Sequence, residues 1–477
     1  MFPTSRKQII HEYFESIATN YVQYRKRFSY YGNDIINYCN FFISETDAVL
    51  EIGCGHGETI GGLKGADKTG IDFSENMIAA AKASFPNVHF QVMDAENITL
   101  DKKFDVIIFN NIIGYLDNIQ DVFYAIKKNC HEHTRIIISY YNHYWEPILN
   151  LGETIGYKKK SPQQNWLDTK DISNLLYLSG FETYRTNKRL LLPIYIPILS
   201  WLVNKYIAKL PLFKSLCLNQ FTFARPQLNY SEADIAEKYS VSICIPARNE
   251  SGNIENAILR LPKFGKHQEI IFIEGNSADD TWQKIQEIQQ KYKDTHDIKI
   301  GQQTGKGKGD AVRKGYAMAT QDILMILDAD LTMPPEELPK FYNAIATGKG
   351  EFINGSRLVY PMDKEAMRFL NTLGNKFFSW VFSWLLEQPI KDSLCGTKVM
   401  LRTDYLKLTE NRKFFGDFDP FGDFDLLFGA YKLNLKIIDL PIRYRERTYG
   451  TTNISRFTNG WMLLRMCWFA AGKIKFW

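Results

Sequence analysis

Short apolar runs bounded by turn residues recur along the chain, and between them apolar positions fall three or four residues apart. In the first half the runs are residues 48–52 (AVLEI), 69–72 (TGID), 88–93 (VHFQVM), 104–110 (FDVIIFN) and 135–140 (RIIISY). Continuous apolar runs this short predict strands buried on both faces. The segments SENMIAAAKASF and IQDVFYAIKKNC have helical spacing and predict the crossovers. Strand and helix in alternation imply βαβ units around a parallel sheet. After Tyr140 the pattern becomes irregular, with prolines and a basic run at 158–160 that is most simply a solvated loop. The stretch ARPQLNYSEADIAEKYS, residues 224–240, is polar and opens on a proline, as a linker does. Alternation then restarts at 241–247 (VSICIPA), 269–275 (EIIFIEG), 297–301 (DIKIG) and 322–330 (DILMILDAD). The expected architecture is two doubly wound α/β domains, residues 1–228 and 241–477, joined by a linker at 229–240. No internal repeat relates the halves.

Composition agrees with two domains. A chain of 477 residues is too long for one hydrophobic core. Its 45% hydrophobic and 23% charged residues describe a folded protein. A net charge of +5 is mild for this length and points away from nucleic acid as a partner. The 7 cysteines are scattered, without a C-x-x-C pair, so neither a disulfide framework nor a zinc site is expected and a reducing cytosol fits. The N-terminal residues MFPTSRKQIIHEYF lack the apolar core of a signal peptide. No run reaches the roughly 18–20 apolar residues that cross a bilayer. LLLPIYIPILSWLV at 190–203, FFSWVFSWLL at 377–386 and the last segment, WMLLRMCWFAAGKIKFW, suit either a buried core or the membrane interface.

The first strand leads into VLEIGCGHGETI, where Gly53, Gly55 and Gly57 allow a tight turn and close approach of a ligand to the backbone. Asp72 closes the second strand, where a carboxylate can hold ribose hydroxyls. Asp94 follows the third, within reach of an adenine amine. This set resembles the class I S-adenosylmethionine (SAM)-dependent methyltransferases over roughly residues 30–190, the G-x-G-x-G spacing suiting that family better than the dinucleotide pattern. The resemblance implies a Rossmann-like fold and SAM bound at Glu51, Gly53, Gly55, Asp72, Asp94 and Asn110. His131, His133 and His143 lie near strand ends and read as surface residues, so no catalytic base is assigned.

In the second half, PARNE at 246–250 follows a strand and precedes a helix. Glu274 ends the next strand, where an acid can read the edge of a nucleobase. TGKGKGDAVRKG then supplies flexible backbone and the cations Lys306, Lys308 and Arg313. LMILDADL sets Asp328 and Asp330 after a buried strand, a pair of hard oxygen ligands suited to Mg²⁺ or Mn²⁺ bridged to substrate phosphate. Across residues 240–460 the run resembles family 2 glycosyltransferases of the inverting GT-A fold, in particular the dolichol- or polyprenyl-phosphate mannose synthase-like branch. NGSR at 354–357, IKDSLCGTKVM with Asp392, Cys395, Gly396, Thr397 and Lys398, FGDFDLL with Asp425, and the basic LPIRYRERTYGTTNISRF carry the later part of that likeness. The chain departs from the family pattern at Glu274-Gly275, where Asp-Asp is commoner, and at Asn453, where lysine is usual.

The resemblance implies that Asp328 and Asp330 hold the metal and the diphosphate, with Pro246, Ala247, Glu250, Glu274 and Lys308 lining the nucleotide-sugar site. Arg357, Arg443 and Arg447 are candidates for donor or acceptor phosphate, since guanidinium forks match phosphate oxygens. Asp425 is the candidate base, and with Asp330 completes the expected catalytic pair; an ionised phosphate acceptor would need orientation more than a base. The expected function is a bifunctional enzyme. One half transfers a sugar from a nucleotide sugar to a polyprenyl phosphate or glycan, and the other methylates at the expense of SAM. Its expected place is the cytoplasm, peripheral at the inner face of the membrane. The alternative keeps the glycosyltransferase and makes the N-terminal half a SAM-binding regulatory or scaffolding module without turnover.

Overall fold

The structure is a computed structural model, described for residues 5–228, 230–357, 359, 369–410, 423–447, 449 and 456–476. It divides into two compact units, residues 1–227 (unit 1) and 228–477 (unit 2). The motif region GDFDPFGDFD up to residue 422, Asn453 and Trp477 lie outside the described residues.

Unit 1 is built on strands β1 (Ala48–Ile52), β2 (Asp67–Asp72), β3 (His89–Val92), β4 (Phe104–Asn110), β5 (Cys130–Tyr141), β6 (Phe181–Arg189) and β7 (Asn219–Pro226), in the spatial order β3-β2-β1-β4-β5-β7-β6. The first five pair in parallel; β7 runs antiparallel to both β5 and β6. Val49, Leu50, Ile52, Ile107 and Ile108 are fully buried, because helices cover both faces of the parallel part. Each such side chain contributes about 1.5–3 kcal/mol. Crossover helices start on side-chain caps: Ser74 accepts from Met77 N–H ahead of Glu75–Ser84, and Asn118 accepts from Gln120 and Asp121 N–H ahead of Ile119–Ile126.

The irregular stretch after Tyr140 therefore contains two strands, β6 and β7. Their arginines, Arg185, Arg189 and Arg225, are buried. Arg185, 2% exposed, lies between the rings of Phe42 and Phe223, 4.0 and 3.7 Å from their centroids. Arg189 forks onto Asp34 and Arg225 pairs with Glu182. Arginine is suited to this because its weakly hydrated plane stacks on aromatic faces.

Unit 2 repeats the parallel half with β8 (Val241–Ala247), β9 (Gln268–Glu274), β10 (Asp297–Gln302) and β11 (Ile323–Ile326). It then adds β12 (Phe352–Ser356), β13 (Lys398–Leu401) and β14 (Ile437–Pro441), in the order β10-β9-β8-β11-β13-β12-β14. Strand β13 is antiparallel to both β11 and β12, so the sheet is mixed. β11 ends at Ile326, which puts Asp328 and Asp330 in the loop beyond it. Ala224, Arg225 and Pro226 belong to β7, and the short helix Glu232–Ile235 buries Ile235 in the unit 2 core, where Tyr342 Oη–H donates to its carbonyl at 2.7 Å. Those residues are thus built into the units and do not form a free linker.

The three apolar segments have different fates. In 190–203, Leu190 joins the core, but Ile194, Tyr195, Ile198 and Trp201 are exposed. In the helix Phe369–Leu386, Phe378, Phe382, Leu385 and Leu386 are buried while Phe377 and Trp380 are exposed. At the C-terminus Trp461 and Trp468 are exposed, while Lys475 of the same segment is buried against Glu387. Among the described residues no helix is long and apolar enough to cross a membrane.

Candidate functional site

Unit 1 opens a pocket of about 170 Å³ at the carboxyl ends of β1, β2 and β4, lined by Glu51, Gly53, Gly55, Asp72, Asp94 and Asn110 among others. All six residues expected to hold SAM meet there. Gly53 has φ +69°, and a Cβ on it would stand 2.2 Å from Ile112 Cδ1, so only glycine fits this turn. Glu51 accepts from Ile60 N–H at 2.9 Å. Asp72 accepts from Gly55 N–H at 2.9 Å and Ser74 N–H at 3.0 Å. Burial pushes the Asp72 carboxyl above the usual range, and those two amides oppose the shift. Asn110 is committed within the protein: its Nδ2–H donates to Thr59 Oγ1, and its Oδ1 accepts from Ser139 Oγ and Asn111 Nδ2.

The sequence reading missed the wall opposite. The helix Arg6–Lys26 brings Lys7, Ile10, Phe14 and Tyr21 to the pocket. Arg6 anchors it by donating to the carbonyls of Leu116 and Gly114 at 3.0 and 2.9 Å. Lys7 pairs with Asp94 and Glu96; against the cost of burial, these carboxylates hold its ammonium above the ordinary lysine range. The spacing of Ile10, Phe14, Ile17 and Tyr21 is the signal that could have revealed this helix.

In unit 2 the loops at the carboxyl ends of β8, β9 and β11 gather carboxylates and cations. Lys308 Nζ lies 2.6 Å from Asp328 Oδ1. Arg447 divides its guanidinium, one nitrogen 2.7 Å from Glu250 Oε1 and the other 2.7 Å from Asp330 Oδ2. Asp330 Oδ1 also accepts from Thr332 N–H and Oγ–H at 3.1 and 2.8 Å. Burial raises the Glu250 carboxyl above its usual range, with Arg447 acting against the shift. Glu274, buried at the end of β9, accepts from Ser277 N–H at 2.5 Å and Gln302 Nε2–H at 3.2 Å. Pro246 and Ala247 end the neighbouring strand, whose Ala247 carbonyl receives Gly275 N–H. Gly396 passes so close that a Cβ on it would stand 2.0 Å from Asp328 Oδ2 and 2.3 Å from Lys308 Nζ.

One expected site residue, Arg357, is engaged elsewhere. Arg357 forks onto Asp392, Nε and Nη2 at 2.8 and 2.9 Å from its two oxygens, with Asp392 fully buried. Against burial, that carboxylate holds the guanidinium above its usual range, while the guanidinium holds Asp392 below the carboxylate range. This fork is committed within the protein. Asp425 is buried on a separate element, the helix Asp423–Lys432. Asp328 and Asp330 supply hard oxygens of the kind Mg²⁺ and Mn²⁺ prefer, and the donor set fits such an ion. Among the described residues no three His, Cys, Asp or Glu converge as ligands, so the ion would draw its remaining oxygens from phosphate and water.

Comparison with known families finds a match in each unit. The glycosyl transferase family 2 model matches residues 242–409, and a methyltransferase domain model matches residues 43–179. The chain therefore carries a methyltransferase domain within residues 43–179 and, after it, a family 2 glycosyltransferase domain within residues 242–409. It is similar to a dolichol-phosphate mannosyltransferase of Pyrococcus furiosus, 38% identical over 224 residues, covering 45% of this chain and 59% of that protein. It is also similar to a dolichyl-phosphate beta-glucosyltransferase of Saccharomyces cerevisiae, 29% identical over 252 residues, covering 47% and 71%. The chain thus spans less than two thirds of the Pyrococcus protein's length. Among solved structures, a SAM-dependent methyltransferase of Thermotoga maritima aligns with 16% identity and a TM-score of 0.35, over 45% of this chain and 99% of that one.

Proposed function

We propose that the chain is a bifunctional enzyme in which unit 2 transfers a hexose from a nucleoside-diphosphate sugar to a polyprenyl phosphate, and unit 1 transfers a methyl group from SAM. The observation that carries the first part is the shared Arg447. It spans Glu250 and Asp330 beside the Lys308–Asp328 pair, so two cations stand where a diphosphate's charge would fall. Both similar transferases are named for dolichol or dolichyl phosphate, which supports a lipid-phosphate acceptor.

In the transfer, an acceptor phosphate oxygen forms the new bond to the anomeric carbon. The bond from that carbon to the donor diphosphate breaks, and its electron pair leaves with the nucleoside diphosphate. Lys308 and Arg447 balance the charge that develops there, as positioned cations do in phosphate chemistry. Glu274, braced by Ser277 and Gln302, faces the nucleobase side. The acceptor phosphate is already ionised at neutral pH, so the transfer asks for orientation of its oxygen more than for a base. A divalent ion held by Asp328 and Asp330 would supply further charge neutralisation at the diphosphate.

In unit 1, Asp72 takes the ribose hydroxyls, the glycine turn admits the methionine end, and the side of the pocket at Asp94 and Lys7 receives the adenine. Transfer of an activated methyl group to a good nucleophile is served by proximity and orientation. Peripheral attachment of unit 2 at a membrane, through exposed Trp461 and Trp468, would bring a lipid phosphate to the site. A donor screen by nucleotide release, with and without polyprenyl phosphate, tests the proposal. Release stimulated by the lipid phosphate with one sugar nucleotide is expected. Release from no donor, or release indifferent to the lipid, counts against it.

A further inference from the structure

Residues 190–217, between β6 and β7, turn the usual arrangement of polar and apolar side chains inside out. Ser200 is fully buried; its hydroxyl accepts from Ile196 N–H at 2.7 Å and donates to the Ile194 carbonyl at 2.6 Å. Asn204 clamps the base of the same loop, accepting from Leu192 N–H at 2.9 Å and donating to the Leu192 carbonyl at 2.7 Å. Large apolar side chains are left outside, with Ile198 79% and Leu212 77% exposed and Tyr195, Trp201 and Leu216 exposed beside them. Ile198 has φ +64°, a left-handed conformation that is costly for a β-branched residue. The polar clamps therefore hold the apolar knob outward, where collapse onto the core would have buried it. The helix Glu146–Thr154 is tied to this loop by Trp145 Nε1–H donating to the Leu216 carbonyl at 2.8 Å, and its Ile148 and Leu151 are exposed too.

Charge identifies the occupant. Between Glu182 and Glu232 the sequence has no Asp or Glu, yet it carries Arg185, Lys188, Arg189, Lys205, Lys209, Lys214 and Arg225. Arg189 and Arg225 are answered by Asp34 and Glu182. Lys205 sits 5.3 Å from the centroid of the exposed Trp201 ring, and Lys214 ends the short helix Pro211–Lys214 that carries Leu212. Apolar and aromatic side chains outside, with lysines beside them and no nearby carboxylate in sequence, match the boundary between acyl chains and anionic headgroups. A second copy of the chain is disfavoured, because two such faces would bring lysines together with no acid from the loop between them.

We propose that this loop seats unit 1 on an anionic bilayer surface, with Ile198, Trp201 and Leu212 in the acyl boundary and Lys205 and Lys214 among the phosphates. The seat belongs to unit 1 and stands whether or not unit 2 uses a lipid acceptor. Flotation of the full chain with phosphatidylcholine vesicles, with and without phosphatidylglycerol, tests it, with thermal melts as the folding control. The double variant Ile198→Glu/Leu212→Glu is expected to bind about tenfold more weakly for each lost side chain. Lys205→Glu/Lys214→Glu is expected to lose about fivefold per lysine on anionic vesicles alone, and carries the test if the first variant melts early. Trp461→Ser/Trp468→Ser, confined to unit 2, is expected to retain binding through the loop. Wild-type flotation of both loop variants, or complete loss of binding in the unit 2 variant, overturns the proposal. So does light scattering that shows a dimer dissolved by the Ile198→Glu/Leu212→Glu substitutions.

Discussion

The two candidate sites hold their carboxylates by different means. In unit 1, Asp72 is gripped by the backbone amides of Gly55 and Ser74, and Glu51 by that of Ile60. In unit 2, Asp328, Asp330 and Glu250 are gripped by the side chains of Lys308 and Arg447. Backbone donors are fixed by the fold, so Asp72 and Glu51 are pre-set for neutral hydroxyls and amines that ask for little rearrangement. Asp94, in the same pocket, answers instead to a side-chain cation, Lys7. Side-chain cations can turn from carboxylate to phosphate when a diphosphate arrives, which suits a ligand whose charge changes during reaction. Arg357 and Asp392 show the limit of that freedom. There one guanidinium takes both oxygens of a fully buried carboxylate, and the pair is structural.

The largest effect is expected where that structural pair is broken. Arg357→Ala leaves Asp392 buried without its cation and should cost about 3–5 kcal/mol, read as an early melt of unit 2. The pH dependence has a definite sign. Asp392 is held below its ordinary value of 3.8, so its contribution is present above that value and lost as pH falls through the lower folded one. The gap between wild type and Arg357→Ala should therefore close in strong acid; a gap that persists there would count against the electrostatic account.

Next in size is Asp330→Asn, which removes charge from the divided pair without emptying space. Sugar transfer should fall by about a hundredfold or more while the melt stays near wild type. Substantial transfer by the folded variant at limiting metal would sink the proposed role. Asp72→Ala should weaken SAM binding by about 1–3 kcal/mol, measured by calorimetry on the full chain. If SAM fails to bind the folded wild type, the methyl-transfer reading of unit 1 falls with it. Smallest is a kinetic difference in thiol chemistry. The seven free cysteines are all buried, and burial pushes the Cys39 and Cys244 thiols up to about 12. Both units should resist disulfide reagents until they unfold, and fast labelling of either native unit would contradict the buried placement.

Strands β1, β4 and β8 were legible to the residue because a strand buried on both faces is written as an unbroken apolar run. Strands β6 and β7 were not, since Arg185, Arg189 and Arg225 look like surface residues until Phe42, Phe223, Asp34 and Glu182 are brought to them by the fold. The glycine turn and the acids at strand ends could be read because strand order places them at one edge. The Arg6–Lys26 helix could not be assigned to the pocket, because nothing local says which face of a sheet a distant amphipathic helix covers. Residues 190–203 were ambiguous for a related reason. Hydrophobicity alone does not tell an inward from an outward side chain; the clamps made by Ser200 and Asn204 do.

The division of labour between the units can be measured in one crossed calorimetric experiment on the full chain. S-adenosylhomocysteine and a nucleoside diphosphate with Mn²⁺ are titrated in turn into wild type, Asp72→Ala and Asp330→Asn. The expected result is that Asp72→Ala weakens only the first ligand and Asp330→Asn only the second. Loss of both ligands in either folded variant, or of neither in both, would contradict two sites with separately held carboxylates.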